Sequence, residues 1–143
     1  MTLVRPAQKL THQGALHVLN AAVEAATAMG VPQCISIVDE GCNLMAFARM
    51  DGARVLSIES ATRKAMTAAT TGQPTGGIPV EKAPALAAAT DGRMTNLLGG
   101  LPLMSGGQIV GGIGVGSGTG DQDLDIARAA VAAFDAALEA SVR

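Results

Sequence analysis

Apolar residues recur at helical spacing in two long segments of the chain. Thr11 and Gly30 suit the two ends of a helix over residues 10–29. One apolar stripe runs along that helix: Leu16, Leu19, Val23 and Ala26. Near the end of the chain, Thr119 and Gln122 fit a capping box and a second stripe follows: Leu124, Ala127, Val131, Phe134 and Leu138. Both segments are therefore predicted to be helices that pack along one side.

Four shorter segments predict two β-hairpins. Residues 33–39 and 43–50 are two strands joined by a short link that contains glycine, and residues 101–104 and 109–117 flank the turn SGGQ. Neither arm of the first hairpin alternates between polar and apolar residues. Both faces of the sheet are therefore expected to be covered, at least by other subunits.

Two further helices are predicted between the hairpins. Ser57 is expected to cap a helix that runs to about Thr71, and a short helix covers about residues 81–89. Glu59 and Arg63, four residues apart, are expected to pair on the surface of the longer helix. The order of helix, hairpin, helix, short helix, hairpin and helix predicts an α+β fold in which helices flank an antiparallel sheet.

Composition narrows the class of protein. The chain has 143 residues, which predicts a single domain over residues 1–143. A net charge of −2, no basic cluster and only two aromatic residues argue against a nucleic-acid partner. No apolar run reaches the roughly 18 residues that a membrane span needs, and the first ten residues lack the apolar core of a signal peptide. A soluble, cytoplasmic protein is expected.

The two cysteines are predicted to be free thiols. If Cys34 lies opposite Phe47 in the first hairpin, it is on the order of 16 Å from Cys42, at ~3.3 Å per residue. A disulfide needs Cα atoms within about 7 Å. There is no CxxC motif and no cluster of His and Cys at zinc spacing, so no metal site is predicted.

Glycine occupies one face of the last predicted strand, at Gly112, Gly114, Gly116 and Gly118. The spacing fails the GxGxxG pattern of dinucleotide-binding loops, and no GK[ST] follows. Two interpretations remain. A helix packs directly on the bare backbone, with the alanine-rich final helix as one candidate. Alternatively, the bare face and the following helix start form part of a ligand pocket.

Four stretches together resemble the GlcG/HbpS-like haem-degrading family, which includes the C-terminal domain of PduO-type corrinoid adenosyltransferases. They are residues 35–53, 57–75, 99–123 and 126–134. The resemblance implies a profilin-like sandwich with an antiparallel sheet of about five strands flanked by helices. It also implies a homo-oligomer, often tetrameric or octameric, and binding of haem or, more loosely, of corrinoids.

The chain departs from this family at two places that could line a pocket. Where relatives read GVSGG, it has Gly114, Val115, Gly116, Ser117 and Gly118. The segment from Gly76 to Leu98 also looks shorter than is usual. Among these positions, Gly114, Gly116 and Ser117 are candidate ligand-binding residues, and the ligand could differ from that of the relatives.

Lys64 and Asp51 are the candidate catalytic residues. Lys64 matches the family pattern SxxxAxxKA and is either a solvated lysine or a cation in a cleft, where it would hold a carboxylate or a haem propionate. Asp51 is either a turn residue or a catalytic carboxylate. Asp121 and Asp123 are interpreted as structural acids in the first turn of a helix.

The two histidines are the available nitrogen ligands for haem iron. His12 lies on nearly the same side of the first helix as Leu19, and His17 points away, about 200° around the helix. If haem binds, one histidine is expected to supply an axial ligand at a subunit boundary, with a methionine, Cys34 or Cys42 as alternatives. The scarcity of aromatic residues argues against a deep haem pocket.

Three functions are consistent with these observations. The first is a small oligomeric protein that binds haem or another tetrapyrrole and has no turnover of its own. The second is an enzyme acting on a small carboxylated or ring-derived metabolite, in which Lys64 binds the substrate and Asp51 is the acid or base. The third is an accessory subunit whose glycine and alanine surfaces only build an assembly.

Overall fold

Four helices and four strands make up the computed structural model, which describes residues 1–142. The predicted order of elements is confirmed, although the described residues form a sheet of four strands rather than about five. The elements are α1 (His12–Met29), β1 (Cys34–Asp39), β2 (Leu44–Arg49), α2 (Ser57–Thr71), α3 (Ala83–Ala89), β3 (Gly100–Ser105), β4 (Gln108–Gly116) and α4 (Gly120–Ser141).

The sheet has the strand order β2–β1–β4–β3, and every neighbouring pair is antiparallel. Because side chains alternate along a strand, β1 and β4 present different residues to the two faces. Ile35, Ile37, Ile113 and Val115 belong to the main core cluster, to which α1 and α4 contribute. The opposite face is covered by α2, so both faces are covered within one subunit.

Sequence signals at the helix ends are largely confirmed. Thr11 caps α1 and Gly30 ends it in the left-handed conformation, with φ of 75°. Thr119 and Gln122 form the predicted capping box at the start of α4. The prediction for α2 is wrong in one detail, because Ser57 is the first helical residue and Leu56 precedes it without a side-chain cap.

The predicted pair of Glu59 and Arg63 is not among the ion pairs of residues 1–142. Arg63 instead donates a hydrogen bond of 2.9 Å from its guanidinium to the carbonyl oxygen of Asp91. The Arg63 side chain therefore connects α2 to the turn at Asp91, which precedes β3.

The β1–β2 turn is organised by one carboxylate. Asp39 Oδ1 accepts hydrogen bonds of 2.9 Å from the backbone N–H groups of Gly41 and Asn43. Partial burial alone would raise the pKa of Asp39, but these bonds and that from the Asn43 side chain lower it overall. In this turn Cys42 adopts a positive φ of 64°.

Both cysteines are free, as predicted. The predicted register of the first hairpin is wrong by two residues, because Cys34 pairs with Arg49 rather than with Phe47. The register shift between Ile37 and Val38 accounts for one of these residues, and the other arises at the turn, where Val38 pairs with Leu44 instead of the expected Asn43. Within residues 1–142, no helix combines the length and the apolar character that crossing a membrane demands.

Candidate functional site

The glycine face of β4 is filled by the backbone of α2. A Cβ atom added at Gly114 would lie 1.8 Å from the carbonyl oxygen of Ala61, and one added at Gly112 would lie 2.4 Å from that of Ala65. Real side chains do not approach backbone atoms so closely, so only glycine permits this packing. The prediction of a helix on bare backbone is confirmed, but the helix is α2 rather than α4. No space for a ligand remains at these two glycines.

The neighbouring candidates Gly116 and Ser117 also contact protein atoms. A Cβ at Gly116 would lie 3.0 Å from Ser60 Oγ of α2. Ser117 has a positive φ of 101°, and its hydroxyl oxygen accepts a hydrogen bond of 2.9 Å from the Arg54 backbone N–H. Both residues thus connect the end of β4 to the segment that enters α2, and a ligand role for them stays a prediction.

Lys64 lies between α2 and the sheet and is 4% exposed. Its Nζ donates hydrogen bonds of 2.8 Å to the Val115 carbonyl oxygen and 3.0 Å to Asp123 Oδ2. It is therefore neither a solvated lysine nor the cation of an open cleft. Asp51 is exposed in the turn after β2, and no contact between it and Lys64 is found within residues 1–142.

Asp123 holds the loop between β4 and α4. Its Oδ1 accepts a hydrogen bond of 3.0 Å from the Gly118 backbone N–H, which also lies 3.0 Å from Gln33 Oε1. The side chains of Thr119 and Gln122 close the same helix start. These partners occupy the donors that an anion would need at this N-terminus, so the anion-binding interpretation of the loop loses its support.

Both histidines are exposed on α1, which corrects the predicted orientations. His12 does not lie on the packed side, and it has no hydrogen-bond partner within residues 1–142. His17 lies towards α4 rather than away from it, because its Nε2 is 3.3 Å from the Ala133 carbonyl oxygen. The ring of His12 is thus the more available of the two.

An open cleft between α2 and α3 was missed by the sequence analysis. It has a volume of about 670 Å³, and apolar side chains make up much of its wall: Pro74, Ile78, Leu86, Met94 and Leu98. Thr71 of α2 and Lys82 contribute polar side chains to the lining, whereas the lining residue Thr67 is buried and its hydroxyl donates to the carbonyl oxygens of Arg63 and Arg93. The signal for it was the loop GQPTGGIP, which is rich in turn residues and has no periodicity.

A second groove of about 600 Å³ lies alongside this cleft, and Met94 lines both. Its apolar residues include Leu56 and Val80, which are 75% and 82% exposed, and Arg63 contributes a cation. Their exposed side chains supply apolar surface at the rim of the groove. The two spaces, which together we call the α2–α3 cleft, are the region of the described chain best suited to a bulky apolar ligand.

The fold agrees with comparisons to known proteins. Residues 10–132 match the family described as haem degrading protein HbpS-like, and the chain belongs to that family. The Klebsiella pneumoniae protein ORFY has a crystal structure similar to this one, with a TM-score of 0.89 at 31% identity, covering 95% of this chain and 97% of that one.

Two further relatives are the protein PduOC and the enzyme PduO. A crystal structure of a complex of PduOC with haem has a TM-score of 0.81 at 32% identity, covering 88% of this chain and 95% of that one. The corrinoid adenosyltransferase PduO of Citrobacter freundii is 33% identical over 135 residues, which cover 91% of this chain but 40% of the enzyme. The chain thus corresponds to less than half of PduO.

Proposed function

We propose that this protein binds haem, or a closely related tetrapyrrole, and has no turnover of its own. The observation that carries the proposal is its likeness to PduOC, which has been crystallised with haem and is 32% identical over 88% of this chain. Membership of the HbpS-like haem degrading family supports it.

The α2–α3 cleft is the haem site that we propose. Its two parts, of about 670 and 600 Å³, fall within the range of about 300–1,000 Å³ typical of small-molecule pockets. Apolar walls suit the porphyrin ring, while Lys82 and Arg63 suit the two propionates. The cleft is open at the surface, so the scarcity of aromatic residues matters less than it would in a deep pocket.

Met94 is our first candidate for an axial ligand, because it lines both parts of the cleft and a thioether is an established ligand of haem iron. Bound haem would supply the redox and ligand-exchange chemistry of its iron, and the residues of the cleft would hold and orient it.

His12 is the alternative axial ligand. It lies on α1, exposed and without a hydrogen-bond partner within residues 1–142, so it would have to reach haem held by another subunit. A homo-oligomer, tetrameric or octameric, is the arrangement that the family resemblance implies and that we propose, and the exposed Leu56 and Val80 are suited to subunit contacts. The profilin-like description of the fold and a cytoplasmic location are likewise predictions.

The test is a titration of the purified protein with hemin, followed by the Soret band and by mass measurement of the assembly. We expect the wild-type protein to bind hemin saturably. Met94→Leu should shift the Soret maximum and lower the hemin affinity on the order of tenfold, as for lost metal-site partners. Met45→Leu, a methionine of β2 outside the cleft, is the matched control. An effect of His12→Ala instead would move the axial ligand to α1, and wild-type protein without a Soret shift would refute haem binding.

The enzyme hypothesis gains no support from the arrangement of its two residues. Lys64 is buried against Asp123, and Asp51 is exposed in a turn without contact to it. A catalytic role for Lys64 and Asp51 stays a prediction that activity assays on Asp51→Asn could address. We therefore base the proposed function on the α2–α3 cleft and not on these residues.

A further inference from the structure

A third cavity, of about 220 Å³, lies where the β1–β2 turn meets α2 and the segment before β3. Three of its six lining residues carry sulfur: Cys42, Met66 and Met94. They come from three separate parts of the chain, so the fold and not a local motif brings them to one space. Cys42 and Met66 do not line the α2–α3 cleft, whereas Met94 lines both spaces, so this cavity adjoins the cleft and shares that one side chain with it.

The position of Cys42 in the turn directs its thiol towards α2. The residue has a positive φ of 64°, a conformation that costs free energy for a side chain other than glycine or asparagine. Its Sγ lies 3.5 Å from the Met66 carbonyl oxygen and 3.6 Å from Thr70 Oγ1. The side chain is half-buried, so a solute can reach it.

Cys34 provides the contrast within the same hairpin. Its side chain is fully buried between β1 and α2, and its thiol donates to the Arg54 carbonyl oxygen at 3.5 Å. Burial raises the pKa of the Cys34 thiol, which disfavours the thiolate that would bind a metal. Cys34 lines none of the three spaces described above. The two thiols are therefore expected to differ in chemistry.

One thiol and two thioethers form a soft set of ligands. Within residues 1–142, no group of three or more His, Cys, Asp or Glu side chains is placed to hold a metal ion, so a hard or borderline cation has no site of that kind. Soft sulfur ligands suit Cu(I), zinc and iron–sulfur clusters. Zinc and iron–sulfur clusters take their sulfur ligands from cysteine thiolates, and two of the three sulfur atoms here are thioethers, so Cu(I) fits this set best. We propose that, when Met94 is not engaged by haem, Cys42, Met66 and Met94 bind one Cu(I) ion.

Binding balances without any redox step. The Cys42 thiol loses its proton to solvent as the Cu–S bond forms, and the copper stays monovalent throughout. The Thr70 hydroxyl, 3.6 Å from Sγ, then has a thiolate to which it can donate. Arg93 also lines the cavity, but a thiolate with Cu(I) carries no net charge, so its guanidinium does not oppose occupancy.

The test is an anaerobic titration of the haem-free protein with Cu(I), in competition with the chelator bathocuproine disulfonate. We expect one equivalent to bind, with release of the thiol proton of Cys42 to solvent. Cys42→Ser should lower the Cu(I) affinity by at least about 100-fold and Met66→Leu by at least about tenfold, since loss even of a group that only supports a metal ligand costs about 10–100-fold. Met66→Leu conserves volume, so it keeps the test valid if Cys42→Ser folds poorly.

Cys34→Ser and Met45→Leu are the matched controls, since each removes the same sulfur chemistry from a site outside the cavity. Unchanged Cu(I) affinity in both Cys42→Ser and Met66→Leu would overturn the proposal, as would equal losses in the controls. Because neither tested residue lines the α2–α3 cleft, hemin titration of the same two variants should give wild-type binding. Loss of haem binding alone would therefore concern the proposed function and not the copper site.

Discussion

The two sides of α2 meet the rest of the protein in opposite ways. Towards the sheet, Ala61 and Ala65 lie directly on the backbone of Gly112 and Gly114, with no room for even a methyl group. Towards α3, Thr67 and Thr71 face a cleft of about 670 Å³. We call these two roughly opposite sides of α2 the closed side, which packs on the sheet, and the open side, which borders the cleft.

The difference lies in what fills the space opposite the helix. On the sheet side, the glycines of β4 leave no side chains in the way of α2, and the long side chain of Lys64 is buried with a carboxylate partner. On the other side, α3 has no fully buried residue, so it stands off from α2 rather than packing on it. Substitutions on the closed side should therefore change the free energy of unfolding, and those on the open side should change ligand binding.

Gly114→Ala is the strongest test of the closed side. The new methyl carbon would be placed 1.8 Å from the Ala61 carbonyl oxygen, so α2 would have to separate from the sheet. We expect no soluble folded protein, or a loss of unfolding free energy above about 5 kcal/mol, beyond the usual cost of overpacking. Urea denaturation followed by circular dichroism measures it.

Gly77→Ala is the matched control for this substitution, since no atom lies within 4 Å of a Cβ added there. It should alter stability by less than about 0.5 kcal/mol. Similar losses in the two variants would show that the contrast between the sides of α2 is not one of packing space.

Lys64→Met tests the buried charge pair. It leaves the Asp123 carboxylate, which is 2% exposed, without its cation, and such uncompensated charges cost about 3–5 kcal/mol. The double variant Lys64→Met with Asp123→Leu should recover much of that loss, because an apolar pair can replace a buried ion pair. Unfolding experiments on both variants at neutral pH decide between these outcomes.

Lys82 is an exposed lysine at the cleft, and Lys82→Met is the comparison. Its free energy of unfolding should stay within about 0.5 kcal/mol of that of the wild type. If Lys64→Met were equally mild, the Lys64–Asp123 pair would not be an important part of the closed side.

Lys82→Gln tests the open side and has the smallest expected effect. An exposed ion pair with a propionate is worth about 0.2–1 kcal/mol, so we expect hemin affinity to fall by up to about fivefold with no change in thermal stability. Lys9→Gln, near the start of the chain and outside the cleft, is the control for lost charge. An equal effect of the two substitutions would remove Lys82 from the proposed site.

Local signals in the sequence predicted most of the fold. The caps at Thr11 and Thr119, the glycine at position 30 and the two hairpins all depend on neighbouring residues, and they are confirmed. Which alanine-rich helix covers the glycine face could not be read in the same way. Both α2 and α4 carry alanine at helical spacing, so the choice depends on contacts between distant parts of the chain.

The candidate site was predicted less well, for a related reason. Lys64 shares a side of α2 with Ala61 and Ala68, but the sequence does not say which side faces the sheet, so its burial with Asp123 was missed. The α2–α3 cleft depends on residues 73–98, where neither helical nor strand periodicity extends far. Spaces between elements leave no periodic pattern, so only the three-dimensional arrangement shows them.

The contact between α2 and β4 also determines which parts of the protein can move. A helix that rests on glycine backbone at van der Waals distance can neither slide nor roll without collision, so α2 is a fixed wall. Any adjustment to a guest of different size must then come from the segment of Gly76 to Leu98 opposite it. If the cleft binds tetrapyrroles as proposed, the range of movement of that segment would determine which of them fit. Changes in the length of the segment would then change ligand selectivity without changing the sheet.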